Sequence, residues 1–234
     1  MMMTGGIIAA GEGRRLREAG FSVPKPLVPV AGVPLVEGVV RNFLAANIAS
    51  LTVIVNEDER ACVQWLAARF PALDVWWIVR TTASSLESFS RVLGAAPPGP
   101  IVVSTVDAWC RPADFARFVE AARRRPPDAV VLAVTPLVDD EAPLWATLDE
   151  HGRIQRLGGD GGDVVTAGIY VVPERVRVLA PPPGLGRLRE FLAWLVTSGE
   201  MVYGEMIECV VDVDRAADVA LAEAMARQSS GGDA

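Results

Sequence analysis

Short apolar segments alternate with longer segments of mixed polarity from the N-terminus to Val134. The short segments have the length and the continuous apolar character of buried strands. The longer segments repeat apolar residues at helical spacing, as at Leu35, Val39 and Phe43. This alternation predicts an α/β fold with a doubly wound, mostly parallel sheet. The predicted strands are 6–10, 51–56, 74–79, 101–106 and 129–134, and the predicted helices are 34–46, 57–70, 84–93 and 112–125.

The pattern changes after Pro136. Segments 145–149 and 153–157 flank a turn at His151 and Gly152, and we predict that they form an antiparallel hairpin insertion. We expect a single domain at 1–227, followed by a small, polar and disordered tail at 228–234. Further strands are predicted at 164–172 and 207–213, and further helices at 188–196 and 215–225.

Composition narrows the range of functions. The 234 residues carry a formal net charge of −7, so we expect no nucleic-acid partner, because such binders usually need a basic excess. The longest apolar run, 129–138, is about half the length of a membrane span, so no membrane insertion is expected. With one histidine and no CxxC pair, histidine-rich and thiolate zinc sites are excluded. No signal-peptide pattern opens the chain, which favours a cytoplasmic protein. Carboxylate-bound Mg²⁺ is the metal chemistry that remains.

A glycine-rich loop follows the first predicted strand. It reads GEGRRL at 11–16, and PKPL at 24–27 and GVPL at 32–35 come after it. Glycines at the carboxyl end of a strand let backbone N–H groups approach phosphate oxygens. Arg15 adds a forked cation and Lys25 adds a point cation, so the combination suits a triphosphate. The third glycine of the dinucleotide fingerprint and the GKS or GKT of a P-loop are both missing.

These motifs resemble the signature of the NTP-dependent nucleotidyltransferases, which include the sugar-phosphate nucleotidyltransferases and their cytidylyltransferase relatives. The resemblance implies a Rossmann-like fold of the nucleotide-diphospho-sugar transferase type. It also implies a Mg²⁺-dependent enzyme that transfers NMP from an NTP to a small phosphorylated acceptor and releases pyrophosphate. The implied nucleotide-binding residues are Ala9, Ala10, Gly11, Gly13 and Arg15, and the implied catalytic residues are Arg15 and Lys25.

The acceptor that we expect first is a sugar 1-phosphate, which would give an NDP-sugar. Two alternatives stay open. One is a cytidylyltransferase acting on a phosphorylated alcohol or a phosphonate. The other is a catalytically silent nucleotide-binding regulator on the same fold. The sequence leaves open the nucleobase, the acceptor and the oligomeric state.

Two aspartates lie at or near the ends of predicted strands. Asp107 follows strand 101–106, and Asp212 lies near the end of strand 207–213. Aspartates at the carboxyl ends of two strands can together hold one Mg²⁺ against phosphate oxygens. The resemblance gives the same two residues the metal-binding role. Asp214 and Asp218 lie at the start of the closing helix, where an N-cap or first-turn acid explains them.

Contacts with the nucleobase and the acceptor rest mainly on the resemblance. Ser84 and Ser85 match the nucleobase-binding segment, although either can instead cap the helix 84–93. Thr166 and Gly168 match a strand near the acceptor, and a glycine inside a strand indicates close backbone approach. The lysine that many sugar nucleotidyltransferases carry after the hairpin is missing, and Arg156 is the candidate that replaces it.

Overall fold

The computed structural model describes residues 2–138 and 141–230. Two 3-10 turns lie at Lys25–Leu27 and Glu57–Glu59. The strands are β1 (Thr4–Ala9), β2 (Pro29–Val30), β3 (Val33–Pro34), β4 (Ser50–Val55), β5 (Asp74–Val79), β6 (Ile101–Thr105), β7 (Ala108–Cys110), β8 (Val130–Thr135), β9 (Trp145–Leu148), β10 (Ile154–Leu157), β11 (Val164–Val172), β12 (Val202–Met206) and β13 (Val210–Asp212). The helices are α1 (Arg14–Glu18), α2 (Leu35–Ala45), α3 (Arg60–Arg69), α4 (Ser85–Ala95), α5 (Pro112–Arg123), α6 (Glu174–Arg177), α7 (Leu188–Thr197) and α8 (Ala216–Ser230).

Nine strands form the main sheet. Their order is β10-β9-β11-β6-β1-β4-β5, with β8 paired to β11 and β12 paired to β8. The strands β6, β1, β4 and β5 are parallel, and so are β8 and β12. β11 runs antiparallel to β6, β8 and β9, and β9 forms the antiparallel hairpin with β10. The predicted α/β class, with a mostly parallel sheet and a hairpin, is confirmed. Because β1 and β6 are adjacent and parallel, the loops after them meet at one edge of the sheet.

Apolar side chains cover both faces of the main sheet. Along β1, Ile7 belongs to one core and Ile8 to the other, since successive side chains of a strand point to opposite faces. The first core lies under α2, α3 and α5, where Phe43 of α2 meets Phe115 of α5 edge-on with ring centroids 5.0 Å apart. The second core lies under α4 and α7. Both faces are therefore closed by helices, as the doubly wound prediction requires.

Only residues 210–212 of the strand predicted at 207–213 form a strand, and the preceding strand at 202–206 was not predicted. The chain forms β12, which pairs with β8, and then leaves the main sheet to form β13, which pairs with β7. The strand β12 has no continuous apolar run because it contains Glu205, whose carboxylate is held by an ion pair with Arg125. The elements α1, α6 and β7, of 5, 4 and 3 residues, are too short for a hydrophobic period to reveal them.

The closing helix α8 runs to Ser230. It therefore includes residues 228–230 of the segment expected to be a disordered tail, whereas residues 231–234 lie outside the described residues. The single-domain range 1–227 stays a prediction. No helix in the two described ranges is both long enough and apolar enough to cross a membrane.

Candidate active site

The loop between β1 and α1 packs its second glycine against Lys25. Gly13 has a φ of +58°, which lies in the left-handed region. A Cβ atom at this position would lie 2.6 Å from the Cβ of Lys25, so no side chain fits there. A Cβ at Gly11 would have no atom within 4 Å. The close approach of Lys25 to the loop therefore requires glycine at position 13.

Replacing Gly13 by alanine is expected to lower the free energy of unfolding by about 2 kcal/mol. Alanine is strained in the left-handed backbone conformation, and its Cβ would collide with the Cβ of Lys25. Urea unfolding measures this change. The matched control is Gly11→Ala, where the space is open and φ is not in the left-handed region. The control should stay within about 0.5 kcal/mol of wild type. Equal losses in the two variants would contradict the packing described for Gly13.

Lys25 is a buried cation between two carboxylates. Its side chain is 7% exposed, and its ammonium donates to Oδ2 of Asp107 at 2.5 Å and to Asp214. Burial alone would lower the pKa of Lys25, but the charges of the two aspartates and their hydrogen bonds outweigh it, so the pKa lies above its ordinary value. The chain's single lysine is therefore charged at neutral pH and fixed at this edge of the sheet.

A small two-stranded sheet brings the predicted metal-binding aspartates together. β7 begins directly after Asp107, β13 ends at Asp212, and the two strands pair with Ala108 opposite Asp212. The backbone N–H of Val213 also donates to the carbonyl of Asp107, at 3.0 Å. One carboxylate oxygen from each of Asp107, Asp212 and Asp214 lies within 4.8 Å of the others. The loops after two separate strands thus converge on one acidic cluster.

The acidic cluster fits a hard divalent cation. Mg²⁺ binds preferentially to carboxylate oxygens, and three are available here. The pKa of Asp107 is lowered: burial would raise it, but the charge and hydrogen bond of Lys25 and a hydrogen bond from Thr105 outweigh that effect. Asp107 is therefore ionised at neutral pH. Asp107, Asp212 and Asp214 are the residues that could hold the metal.

Asp214 has contacts beyond those of a helix-start acid. It accepts a hydrogen bond from Lys25, and its Oδ2 lies 3.6 Å from Nη1 of Arg15. Asp218 matches the simpler expectation, because its Oδ2 accepts from the backbone N–H groups of Asp214 and Arg215, at 2.9 and 2.7 Å. The two-residue spacing between Asp212 and Asp214 was the sequence signal that could have placed both side chains on the same face of the predicted strand.

Arg15 lies at the exposed side of the acidic cluster. Its guanidinium approaches Oε2 of Glu141, at 3.7 Å, as well as Asp214. The Arg15 side chain is 56% exposed, so its charge remains available to an incoming anion. Arg15, Lys25 and the 11–13 loop thus share one edge of the main sheet. The nucleotide-binding roles of Ala9, Ala10, Gly11, Gly13 and Arg15 stay predictions.

A cavity of about 400 Å³ opens beside the acidic cluster. Gly168 lies at an irregularity in β11 with a φ of +70°. A Cβ there would lie 2.6 Å from Oγ1 of Thr105, the hydroxyl that bonds Asp107. Glycine at this position therefore lets β11 approach the turn that carries Asp107 closely. The cavity lining includes Asp107, Asp212, Thr166, Gly168, Arg187 and Arg189.

Arg156 does not line this cavity. Its guanidinium donates to the carbonyl of Gly158 at 3.1 Å, to the carbonyl of Gly161 at 2.8 Å and to Oγ1 of Thr147 at 3.1 Å. These bonds order the glycine-rich loop after the hairpin, and acceptor contact by Arg156 stays a prediction. Arg187 and Arg189, at the start of α7, are the cations that sequence reasoning missed. Their position depends on how α7 docks, which no local motif encodes.

The two candidate nucleobase-binding serines have different roles. Ser84 is the N-cap of α4, where its Oγ accepts the N–H of Glu87 at 3.2 Å. Ser85 instead lines the cavity, and its Oγ accepts the N–H of Leu188 at 3.0 Å. This hydrogen bond ties the start of α4 to the start of α7. Nucleobase contact by either serine stays a prediction.

Glu59 is a buried carboxyl behind the site. It is 6% exposed, and its Oε2 has no hydrogen-bond partner within the described residues. Burial raises the pKa of Glu59 from 4.5 to about 7, against the lowering effect of the charges on Arg17 and Lys25. Between about pH 4.5 and about pH 7, Glu59 is ionised in the unfolded chain but stays protonated in the native chain. The native state therefore loses stability as pH rises through this range.

Glu59→Gln should stabilise the protein more at pH 8 than at pH 5, with a difference between the two pH values of about 2 kcal/mol in the free energy of unfolding. The glutamine amide cannot ionise, so the variant does not lose the stability that the wild type loses as the pH rises through this range. Urea unfolding at both pH values measures the difference. Glu57→Gln, an exposed residue of the same 3-10 turn, is the control and should show no such dependence. A pH-independent effect of Glu59→Gln would contradict the buried-carboxyl account.

The sequence of the chain is similar to those of known nucleotidyltransferases. Residues 5–167 match the family described as the MobA-like NTP transferase domain. A protein of Rubrobacter xylanophilus named "Bifunctional IPC transferase and DIPP synthase" is 30% identical over 240 residues, covering 94% of this chain and 51% of the relative. A mannose-1-phosphate guanyltransferase of Gibberella zeae is 31% identical over 115 residues, covering 46% of this chain and 31% of the relative. The chain thus spans about half, or less, of the length of these relatives.

The fold is shared with solved nucleotidyltransferases. The structure of the inositol-1-phosphate CTP transferase from T. maritima superposes with a TM-score of 0.83 at 19% identity, covering 98% of this chain and 97% of that one. The resemblance inferred from the GEGRRL and PKPL motifs is confirmed by the family match and by this superposition. The chain therefore belongs to the MobA-like NTP transferase family of nucleotidyltransferases.

Proposed function

We propose that this nucleotidyltransferase moves CMP from CTP to the phosphate of a phosphorylated cyclic alcohol of the inositol phosphate type, with Mg²⁺ as its cofactor. The observation that carries the proposal is the cavity of about 400 Å³ beside Asp107 and Asp212, which combines Arg187 and Arg189 with the hydroxyl of Thr166. Such a cavity suits a small polyol that bears one phosphate. The name of the T. maritima protein that shares this fold, an inositol-1-phosphate CTP transferase, supports CTP and inositol phosphate as the pair.

A sugar 1-phosphate acceptor is the second candidate. The mannose-1-phosphate guanyltransferase relative favours it, and a hexose phosphate has a similar size and a similar set of hydroxyl groups. The missing hairpin lysine and the position of Arg156 outside the cavity argue for an acceptor site that differs from that of many sugar nucleotidyltransferases. A silent regulator is disfavoured, because Arg15, Lys25 and the acidic cluster are all present together.

In the proposed reaction, an acceptor phosphate oxygen attacks the α-phosphorus of the NTP in line with the leaving pyrophosphate. A bond forms between that oxygen and the α-phosphorus, and the bond from the α-phosphorus to the oxygen bridging it to the β-phosphorus breaks. The acceptor phosphate is already ionised, so no side chain has to remove a proton. The chemistry is therefore positioning and charge stabilisation. His151, the single histidine, has an 80% exposed side chain and is not among the residues that line the cavity.

The cations of the site have separate roles in this proposal. Lys25 lies between the loop and the acidic cluster, where its ammonium stabilises charge on the α-phosphate as the new bond forms. Arg15 and the N–H groups of the 11–13 loop bind the β- and γ-phosphates. Arg187 and Arg189, which line the cavity, bind the acceptor phosphate. When bound to the aspartates, Mg²⁺ supplies charge neutralisation for the phosphate oxygens.

The test is a panel of substrate pairs. Purified protein with Mg²⁺ is incubated with each of the four common NTPs and with inositol 1-phosphate, glucose 1-phosphate, mannose 1-phosphate or 2-aminoethylphosphonate, and pyrophosphate release is measured. We expect the fastest release with CTP and inositol 1-phosphate. Release only with a sugar 1-phosphate would favour the second candidate. No release with any pair would refute both and leave a nucleotide-binding regulator.

We also infer a cytoplasmic location, where NTPs and Mg²⁺ are supplied.

A further inference from the structure

The strand β5 forms a bare edge of the main sheet. In the described part of the chain it pairs only with β4, in an unbroken parallel register from Asp74 to Val79. Trp76, in its middle, is 65% exposed. The strand contains no proline, no bulge and no lysine, which are the usual features that protect an edge from pairing. An apolar six-residue edge of this kind is a template for strand addition.

Backbone alternation fixes which groups of β5 face outward. The N–H of Arg80 donates to the carbonyl of Val55 in β4, at 2.9 Å. Because adjacent residues of a strand direct their N–H and C=O groups to opposite sides, the even-numbered residues of β5 point toward β4. The groups of Val75, Trp77 and Val79 therefore point outward. An antiparallel partner can pair in register only through these three residues.

The segment 74–80 is complementary to a second copy of itself. An antiparallel pair with its two-fold axis at Trp77 places Trp77 opposite its own copy as a hydrogen-bonded pair, as the outward groups require. The same register places Trp76 opposite Ile78, and Asp74 opposite Arg80, on one face of the continued sheet. The side chain of Arg80 is exposed and forms no hydrogen bond or ion pair with the described residues, although its charge acts on the nearby Glu87.

We propose that this chain forms a two-fold dimer through antiparallel pairing of β5 with β5 of a second copy. Two Asp74–Arg80 ion pairs close the ends, and two Trp76–Ile78 contacts lie between them. In this register every charged residue of the segment meets an opposite charge, and every apolar residue meets an apolar one. A single strand pair is a small interface, so we expect a dissociation constant of about 1 to 100 μM.

Sedimentation velocity of the full chain from about 1 to 200 μM tests the proposal, since this range brackets the expected constant. Wild type should shift from monomer to dimer across the range. Asp74→Arg and Arg80→Asp each place like charges opposite one another, so each should weaken dimerisation at least about tenfold. The double variant Asp74→Arg/Arg80→Asp has the net charge of wild type and restores the pairing. It should dimerise within about threefold of wild type.

A second substitution tests the apolar contact independently of the charges. Trp76→Arg should abolish the dimer, whereas Val178→Arg, at a residue that is 81% exposed outside this strand, should leave the dissociation constant unchanged. Circular dichroism confirms that each variant is folded. Wild type that stays monomeric up to 200 μM overturns the proposal. A dimer that Arg80→Asp and Trp76→Arg leave intact also overturns it, because the contact would then lie on another surface.

Discussion

Replacing Asp107 by asparagine is expected to reduce pyrophosphate release by about 10³-fold or more at saturating substrates. Asp107 accepts a hydrogen bond from Lys25, at 2.5 Å, belongs to the three-carboxylate cluster and directly follows the central strand β6. The amide keeps the shape of the side chain but loses its charge, so it weakens metal binding and removes a partner of the buried ammonium. The expected loss is in the rate of the chemical step as well as in Mg²⁺ affinity.

Two controls make the Asp107 result specific. Asp160→Asn changes an exposed acid in the glycine-rich loop after the hairpin, and it should leave the rate within about twofold of wild type. Thermal unfolding of Asp107→Asn should show a folded protein. If a folded Asp107→Asn variant keeps more than about a tenth of the wild-type rate, the acidic cluster is not the reaction centre.

Replacing Lys25 by methionine is expected to cost a similar factor, about 10³-fold in the rate at saturating substrates. Methionine keeps the length of the buried chain but removes the ammonium that faces Asp107 and Asp214. Because the site then carries one positive charge fewer, divalent cations should bind at least as tightly as in wild type. Transfer should fail even though the metal binds. Mn²⁺ binding and pyrophosphate release, measured on the same preparation, separate these two effects.

The matched control for Lys25 is Arg60→Met, which removes an exposed cation at the start of α3. It should change neither Mn²⁺ affinity nor rate by more than about twofold. A Lys25→Met variant that loses metal binding together with its activity would contradict the role of Lys25 in stabilising the reacting phosphate. It would instead indicate that Lys25 only maintains the arrangement of the carboxylates.

Much of the fold could be predicted from hydrophobic periodicity. The predicted bounds of the strands 74–79 and 164–172 match β5 and β11 to the residue. Both segments are rich in β-branched and aromatic residues, so the pattern that predicts a strand is visible in the local sequence. β12 is different, because Glu205 interrupts its apolar character and the ion pair with Arg125 that stabilises it is distant in sequence. Propensity and pattern cannot show a partner that only the tertiary structure supplies.

The site residues also divide into those that local sequence predicts and those that depend on tertiary packing. Motif spacing brought Lys25 and Asp107 into the prediction, and the structure places their charged groups in contact. Arg187 and Arg189 carry no motif, and they reach the cavity because α7 docks beside α4 through the bond between Leu188 and Ser85. Arg156 matched the position of a missing lysine but turns toward its own loop. The sequence therefore identified the site residues that belong to a local motif. It did not identify those that tertiary packing places in the cavity.

The central claim is that an acceptor phosphate attacks the α-phosphorus of an NTP at this site. CTP labelled at its α-phosphorus, incubated with inositol 1-phosphate, Mg²⁺ and the enzyme, tests it directly. We predict that the label appears in a cytidine diphosphate-linked inositol product and that the released pyrophosphate is unlabelled. Label recovered only in CTP or free CMP, with no linked product from any phosphorylated polyol of the panel, would contradict the account.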